Sequence, residues 1–530
     1  WENATINIFN IFKTPDKPFY SVNPQSFFII EPDYLINITQ IKECFVTWNK
    51  VIPSLYLLNK FELFKPSIEK IQGNIANFIL DTLVFTGNTK FDDLFNKATR
   101  EYAFDIVSSV KAEDLPETIR KLKENSEKHF NSIITFVNSE KVKNIKTSKT
   151  KSNNLIHIEP YVISHMYGLS GRFDILLEYQ RDDTTVCRDI IELKSTKNPP
   201  KNDAPYINDN IQVFCYDIML NSMYPDRVGE SLVLYSSKQD NCLISIKKNF
   251  ENNPNINITQ DIVKARNCIV HYEYLLAKGE LLIDSIVEVI KNDVSEYKSF
   301  KKDFADGFIN TINNLENNLE KKYINNFLQF IAKEQWINKL GKSDDIEYNK
   351  YYGFSSLWKL DINEKQDHNI IFADLEYDEA NSNLEQLTVC FKRNLFNNPY
   401  LSTVFREGDV CIIYPQDSNL LHSDDPTKKI FLKATIATIE SDTIIVKLRN
   451  LYPSKNYFKK HSTWCIEQDL TDSFSEKLSK SLYEFAKCDK DKKELLLGLK
   501  EPQFEDPNTY NVIYTDDHII KTAIEKSVSC

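Results

Sequence analysis

The sequence predicts an α/β (α+β) protein: a small sheet core with helical additions, then a small β-barrel, then a helical stalk. Three observations carry this. Apolar residues recur at 3/4 spacing from residue 60 to about 140, and long helical patterns return from about Thr259 to Gly341. Between these stretches lie short runs rich in Val, Ile, Leu and Tyr. Residues 370–465 alternate apolar and polar side chains as strands do. A chain of 530 residues exceeds what one core supports. The composition shift after "GKSDDIEYNKYYG" helps divide it into 1–345, 346–470 and 471–530.

Taken in order, "FDDLFNKATREYAFDIVSSV" sets Phe91, Leu94, Phe95 and Ala98 on one helical face. Further on, "GRFDILLEY" and "VCRDIIELKS" read as two strands joined through the polar "QRDDTT", a β-hairpin. "NDNIQVFCYDIMLNSMYP" carries a helix start signal at Asn208/Asp209 and a stop at Pro225. "ESLVLYSS" and "CLISIKKN" read as two more strands before the long helices. "DVCIIYP", "IFLKATIATI" and "DTIIVKLRN" are short alternating strands of the kind that close into a barrel. "SFSEKLSKSLYEF" returns to helix, with a Ser473…Glu476 capping box and a stripe of Phe474, Leu478, Leu482 and Phe485.

Composition excludes several classes. No run of about 18 apolar residues exists, so no membrane span is expected. The start, "WENATINIFNIF", lacks a basic n-region and a cleavage site, so a cytoplasmic location is expected. Ten cysteines without a CxxC or a zinc spacing read as reduced, mostly buried thiols. The net charge of −11 means that a polyanion must meet a local basic surface. The densest basic run is Lys141, Lys143, Lys146, Lys149 and Lys151, either a solvated loop or an arm that tracks phosphates.

The hairpin carries the chemistry. If it turns near Asp183, Asp174 falls opposite Glu192 and Arg172 opposite Lys194. Glu192 and Lys194 share a face because strand side chains alternate, and directly opposed residues share that face too. Asp174, Glu192 and Lys194 therefore converge. Two carboxylates at cross-strand distance repel unless a cation separates them, and hard oxygen ligands suit Mg²⁺ or Mn²⁺. A lysine beside them can orient or deprotonate a water, or stabilise charge developing on phosphate. A surface hairpin with ordinary charges has the same local pattern, so the helix that follows matters. Gln212 and Tyr216 lie four residues apart on one helical face, at a distance that lets the helix pack beside the hairpin.

Together "GLSGRFD", "IELKS" and "QVFCY" resemble the PD-(D/E)XK nuclease superfamily, in its RecB-like branch, which reads G-x-x-D, D/E-x-K and Q-x-x-x-Y. Within that branch the chain resembles the replication nuclease-helicase family that trims Okazaki-fragment flaps. "IIEPDYLINITQI", "ISHMYGLSGRFDILLE" and "ESLVLYSS…KARNCIV" are similar to segments of its nuclease domain. "FREGDVCIIY", "IFLKATIATI", "LRNLYPS" and "TWCIEQD" resemble the barrel before a superfamily 1 helicase motor.

The resemblance implies a metal-dependent nuclease cutting DNA, with single strands or flaps preferred, in replication, repair or antiphage defence and with protein partners in such complexes. It implies Asp174, Glu192 and the Leu193 carbonyl as metal ligands, Lys194 as the group that assists the water, and Gln212, Tyr216 and Arg266 as contacts for the strand. The family's early metal-binding His is replaced by Asp92, either a ligand or a surface acid. The family's iron–sulfur cluster is not expected. Its early cysteine position holds Thr47, with Cys44 nearby, and no CxxC follows "ARNCIVHYEYLL". Gly341-Lys342-Ser343 lacks the earlier Gly of a phosphate loop and reads as a helix C-cap. A helicase motor, and ATP with it, is therefore expected only beyond Cys530. A DNA-end binding module without cleavage is the alternative reading, and an interaction scaffold a third.

Overall fold

The computed structural model describes all residues except 1–3, 14–17, 49, 64–66, 87–88, 148–153, 182–184, 197–199, 201–203, 239–241, 248–256, 316–317, 342–352, 394–402, 417–424, 451–454, 471–473 and 503–530. The chain starts with two small ribbons: β1 (Ile6–Phe9), β2 (Phe12–Lys13), β3 (Tyr20–Ser21) and β4 (Phe27–Ile30), with β1 paired to β4 and β2 to β3. β5 (Ile36–Asn37) leads into α1 (Ile38–Lys42), capped by the Asn37 side chain. β6 (Phe45–Thr47), β7 (Lys50–Val51) and α2 (Ser54–Phe61) follow.

A helical layer comes next: α3 (Ile68–Thr86), α4 (Phe91–Glu101), α5 (Ala103–Ser109), α6 (Leu115–Val137) and α7 (Glu140–Thr147). Leu94, Phe95 and Ala98 of α4 are buried as their spacing predicts. α7 carries Lys141, Lys143 and Lys146 on a helix where a loop was one expectation, while Lys149 and Lys151 lie outside the described residues.

The central sheet has five strands in the order β14-β13-β12-β11-β8: β8 (Leu155–Ile158), β11 (Ile175–Gln180), β12 (Val186–Lys194), β13 (Ser231–Tyr235) and β14 (Leu243–Ser245). β9 (Tyr161–Ser164) and β10 (Leu169–Arg172) form a second sheet with β5. The hairpin register is the expected one, with Ile175 opposite Ile191 and Leu176 opposite Ile190. "GRFDILLEY" is not one strand, however. The chain leaves the small sheet after Arg172 and enters the central sheet at Ile175. Arg172 consequently pairs with Tyr161 on β9, not with Lys194.

α8 (Ile207–Met223) packs beside β12 and β13. Helices Ile258–Lys278, Ile283–Asp293, Ser299–Asn313 and Asn318–Leu340 complete this part, the last ending on Gly341 in the left-handed conformation. One large apolar cluster joins these helices to α1, α2, α8 and one face of the central sheet, and a second joins the other face to α3, α4 and α6. Covered on both faces, β12 is buried at Cys187 and from Asp189 to Leu193, charged Asp189 and Glu192 included.

The alternating stretch closes into a six-stranded barrel, β15 (Ile371–Asn383), β16 (Thr388–Lys392), β17 (Val410–Gln416), β18 (Leu432–Ile439), β19 (Thr443–Leu448) and β20 (Thr463–Gln468), in the order β15-β16-β19-β18-β17-β20. Closure removes the edges that a short-stranded sheet would otherwise expose. The helix Phe474–Lys487 follows, with Leu482 and Phe485 buried against the first cluster; Ser473 of the expected capping box lies outside the described residues. No described helix is long and apolar enough to cross a membrane.

Candidate active site

The site forms where β11 has not yet begun and β12 is about to end. Along β12 the backbone of Arg188 and Ile190 bonds toward the β13 side, and the Lys194 carbonyl accepts from Ser236 N–H at 3.0 Å. Alternation then turns both backbone groups of Leu193 toward the β11 side. β11 starts only at Ile175, so no ladder partner meets them. The Asp174 carboxylate does: Leu193 N–H donates to its Oδ2 at 2.6 Å.

Glu192 and Lys194 project from one face of β12. Glu192 Oε1 accepts from Lys194 Nζ at 2.7 Å and from Gln212 Nε2 at 2.7 Å. Its second oxygen, Oε2, is buried with no partner. Gln212 Oε1 in turn accepts from Lys194 at 2.9 Å and from Lys42, the last residue of α1, at 2.8 Å. Gln212 Nε2 also reaches the Tyr216 hydroxyl at 3.2 Å, and that hydroxyl donates to the Arg172 carbonyl. The structure thus brings Asp174, Glu192, Lys194, Gln212 and Tyr216 together.

Electrostatics follow from crowding acids in a poorly solvated place. Burial first, then Glu192, push the Asp174 carboxyl up to about 8, against the opposing pull of Lys194 and the Leu193 N–H. Burial lowers the pKa of Lys194, but Glu192, Asp209 and Asp174 outweigh it and leave the ammonium held above its ordinary value. Lys42 moves the other way, lowered by burial and by Lys194.

Three residues of this neighbourhood escaped sequence reasoning. Asp81 on α3 has its carboxyl raised well above normal by burial, then by Glu159 and Asp174. Glu159 is likewise raised, by burial and by Glu192 against Arg172, which pairs with it at 3.2 Å. The Asp81 signal was present: a lone acid among Ile79, Leu80, Leu83 and Val84, all buried. Glu159 sits at φ 47°, a left-handed conformation that a non-Gly residue adopts only where its surroundings impose it, and its N–H bonds the Asp174 carbonyl at 2.9 Å. Lys42 had no local signal, because only folding brings α1 to Gln212.

Other expected contacts lie elsewhere. Asp92 is exposed on α4 and pairs with Lys123 of α6 at 2.7 Å. Arg266 is fully buried, and its guanidinium clamps the backbone carbonyls of Ile30, Glu31 (2.6 Å) and Tyr34 (2.9 Å), so no donor is left facing a strand of nucleic acid. Tyr216 is buried with its ring edge-on to Phe173 at 4.5 Å, which makes it a brace and not a stacking platform. Lys141 is bound to buried Asp189 and lies over the Tyr179 ring.

Among the described residues no group of three or more His, Cys, Asp or Glu side chains is arranged to hold a metal ion. The donors that do converge are two carboxylates and one backbone carbonyl. That set fits Mg²⁺ or Mn²⁺, which bind through one or two carboxylates and fill the remaining positions with water and substrate phosphate. The orphaned Glu192 Oε2 is the oxygen such an ion would engage.

Residues 2–179 match a family model described as DNA replication factor Dna2. The match covers about a third of the chain. It includes Asp81, Glu159 and Asp174 and ends before Glu192, Lys194, Gln212 and Tyr216. No curated protein matches the chain.

Proposed function

We propose that this chain is a metal-dependent deoxyribonuclease of PD-(D/E)XK type that cuts phosphodiester bonds in single-stranded or flap DNA. One observation carries the reading: a buried, partnerless Glu192 oxygen beside an Asp174 carboxyl whose pKa is pushed up to about 8, with a cationic lysine bonded to the same glutamate. Acids that repel one another in a fold are tolerated where a cation completes the arrangement.

Asp174, Glu192 and the Leu193 carbonyl would hold Mg²⁺ or Mn²⁺. When bound, the ion supplies charge neutralisation at phosphate and a more acidic water. Lys194, kept protonated by Glu192, acts as a fixed positive charge for the phosphoryl oxygens and not as a base. The Gln212 amide bonds Lys194, Lys42 and Glu192, and Tyr216 ties that helix face to the carbonyl of Arg172, two residues before Asp174. Lys42 is a second cation at the same amide, available to the substrate phosphate. Gln212 and Tyr216 are positioning residues. No iron–sulfur cluster is part of the proposal, since Thr47 stands where the family's early cysteine would be and no CxxC follows "ARNCIVHYEYLL".

At the level of the chain, the proposal assigns 1–345 to the nuclease, 346–470 to the barrel and 471–530 to the start of a helicase motor that would bring ATP hydrolysis. The role would lie in cytoplasmic DNA replication and repair or in defence against invading DNA. The test is cleavage of labelled single-stranded DNA with Mg²⁺ or Mn²⁺ against EDTA. We expect metal-dependent cutting that is lost in Glu192→Ala and Asp174→Ala, with circular dichroism unchanged. Tight DNA binding without cutting under either metal would favour the end-binding reading instead.

A further inference from the structure

Lys42 is a cation without an acid of its own. Among the described residues its ammonium makes one hydrogen bond, to Gln212 Oε1 at 2.8 Å, and no ion pair. Lys194 Nζ donates to the same oxygen at 2.9 Å. Two ammonium groups therefore share one neutral acceptor, and of the two only Lys194 is paired with a carboxylate, Glu192 at 2.7 Å. Glu43 and Asp209 also act on Lys42 through their charge, but neither bonds it. Asp209 accepts from the Tyr235 hydroxyl at 2.7 Å, and Glu43 lines a separate cavity of about 460 Å³ with Tyr56 and Glu476.

Sheltered lysines elsewhere in this fold have partners to themselves. Lys60 has Glu273 at 2.6 Å, Lys365 has Glu467 at 2.8 Å and Lys493 has Glu320 at 3.1 Å. Lys339 lacks an acid but holds the Leu35 carbonyl at 2.7 Å and lies over the Tyr34 ring at 4.0 Å. A poorly solvated ammonium beside a like charge, with donors left over, is costly unless an anion from outside completes it. Its place is nonetheless fixed. Ile38 and Ile41 bury the inner face of α1, and the Lys42 carbonyl accepts from Asn208 Nδ2 at 3.0 Å. A cation held in position before its partner arrives loses little freedom on binding.

The order of the hydrogen bonds indicates which anion. Lys194 touches Glu192 itself, whereas the Gln212 amide stands between Glu192 and Lys42, its Nε2 bonded to the carboxylate and its Oε1 to the ammonium. A phosphate at the Asp174 and Glu192 pair would thus meet Lys194 first. In a polynucleotide a second phosphate follows one nucleotide along, and Lys42 is the unpaired cation one amide away.

We infer that Lys42 binds the phosphate adjoining the one held at Asp174 and Glu192, so that the site selects polynucleotides over isolated phosphodiesters. This rests on the reading of the site as a DNA nuclease and adds a contact that depends on a continuous strand.

The test compares two oligothymidylates of equal length and charge, each with half of its linkages replaced by uncharged methylphosphonate. In one the methylphosphonates alternate with phosphates, so every cuttable linkage has neutral neighbours. In the other they form a single block, so the cuttable linkages keep charged neighbours. With Mg²⁺ or Mn²⁺ the full chain should cut the alternating strand at least about tenfold more slowly, the scale of a lost hydrogen bond between charged groups. Lys42→Met should slow cutting of the block strand and abolish the difference between the two, and Lys42→Arg should restore it. Equal cutting of both strands by the parent overturns the inference, and so does a difference that survives in Lys42→Met. Melting temperature without DNA or metal gives a readout apart from activity. Lys42→Met removes an uncompensated charge and should melt at or above the parent. A lower melting temperature would make Lys42 a prop for Gln212 and would overturn the inference as well. If neither strand is cut, anisotropy of an unmodified labelled oligothymidylate separates the two readings. Weaker binding with a smaller salt slope in Lys42→Met would then overturn the nuclease reading alone, and unchanged binding would overturn both.

Discussion

Glu192 divides its two oxygens between two tasks: one is bound by Lys194 and Gln212, and the other is left bare in a buried place. This division separates the roles of its neighbours. Lys194 touches the bonded oxygen, so removing it should disturb charge at the reacting phosphate more than metal affinity. We expect Lys194→Ala to lose about two or more orders of magnitude in cleavage rate, with Mn²⁺ affinity by titration calorimetry little changed. A wild-type rate would show that the lysine only supports the strand. Asp174 gives a pH signature. Its carboxyl titrates near 8 in the fold and near 4 when unfolded. The folded state thus keeps a proton that the unfolded state has lost, and the associated stability, complete below about pH 4, declines as pH rises through about 8. Asp174→Asn removes this titration. Without metal, its melting temperature should rise relative to the parent as pH goes from 5 to 8. Parallel melting curves for the two proteins across that range would contradict the assigned shift.

At the scale of elements, the break between β10 and β11 does the positioning. Phe173 is fully buried, and its backbone N–H bonds the Pro160 carbonyl at 3.2 Å, so the chain is pinned as it passes from one sheet to the next. Asp174 emerges there beside the end of β12. Gly171 in β10 has a steric reason to lack a side chain: a Cβ would meet the Tyr216 ring at 2.8 Å and Ile38 of α1 at 3.1 Å. Gly171→Ala must therefore push α8 or α1 away, and with them Gln212 and Lys42. We expect a loss of about 1–3 kcal/mol in denaturant unfolding, the usual scale of overpacking, accompanied by slower cleavage. A variant as stable and as active as the parent would mean that α8 has slack the packing does not suggest.

At the scale of the molecule, the barrel leans on the small sheet. Phe431 N–H bonds the Tyr161 carbonyl at 3.0 Å, and Lys433 on β18 lies over the Tyr161 ring at 4.3 Å. Strand β9 is thereby held from both sides, next to the β10 strand that leads to Asp174. On the proposed nuclease reading, a site walled by α1, α3 and α8 would admit one strand more readily than a duplex whose phosphates sit beside a second strand. Flap and single-stranded substrates should accordingly be cut in preference to blunt duplex in a competition assay. Equal cutting of blunt duplex would refute this. Because Lys141 is already bound to Asp189, neutralising it should lower the melting temperature more than it alters the salt dependence of binding.

The sequence by itself determined the features that depend on local period. Alternation marked the hairpin and its register, 3/4 spacing marked the buried face of α4, and the sum of these placed Glu192 and Lys194 on one face with Asp174 opposite. Those inferences succeed because strand and helix geometry act over a few residues. Only the tertiary structure decided which distant groups share the site. Lys42, Asp81 and Glu159 come from separate elements, and nothing local to them specifies Gln212 or Asp174 as neighbours. The same reason accounts for the misplaced contacts. Arg266 and Tyr216 have the chemistry to meet nucleic acid, but whether a guanidinium or a phenol faces solvent or a row of backbone carbonyls depends on how the N-terminal segment and β10 pack against their helices.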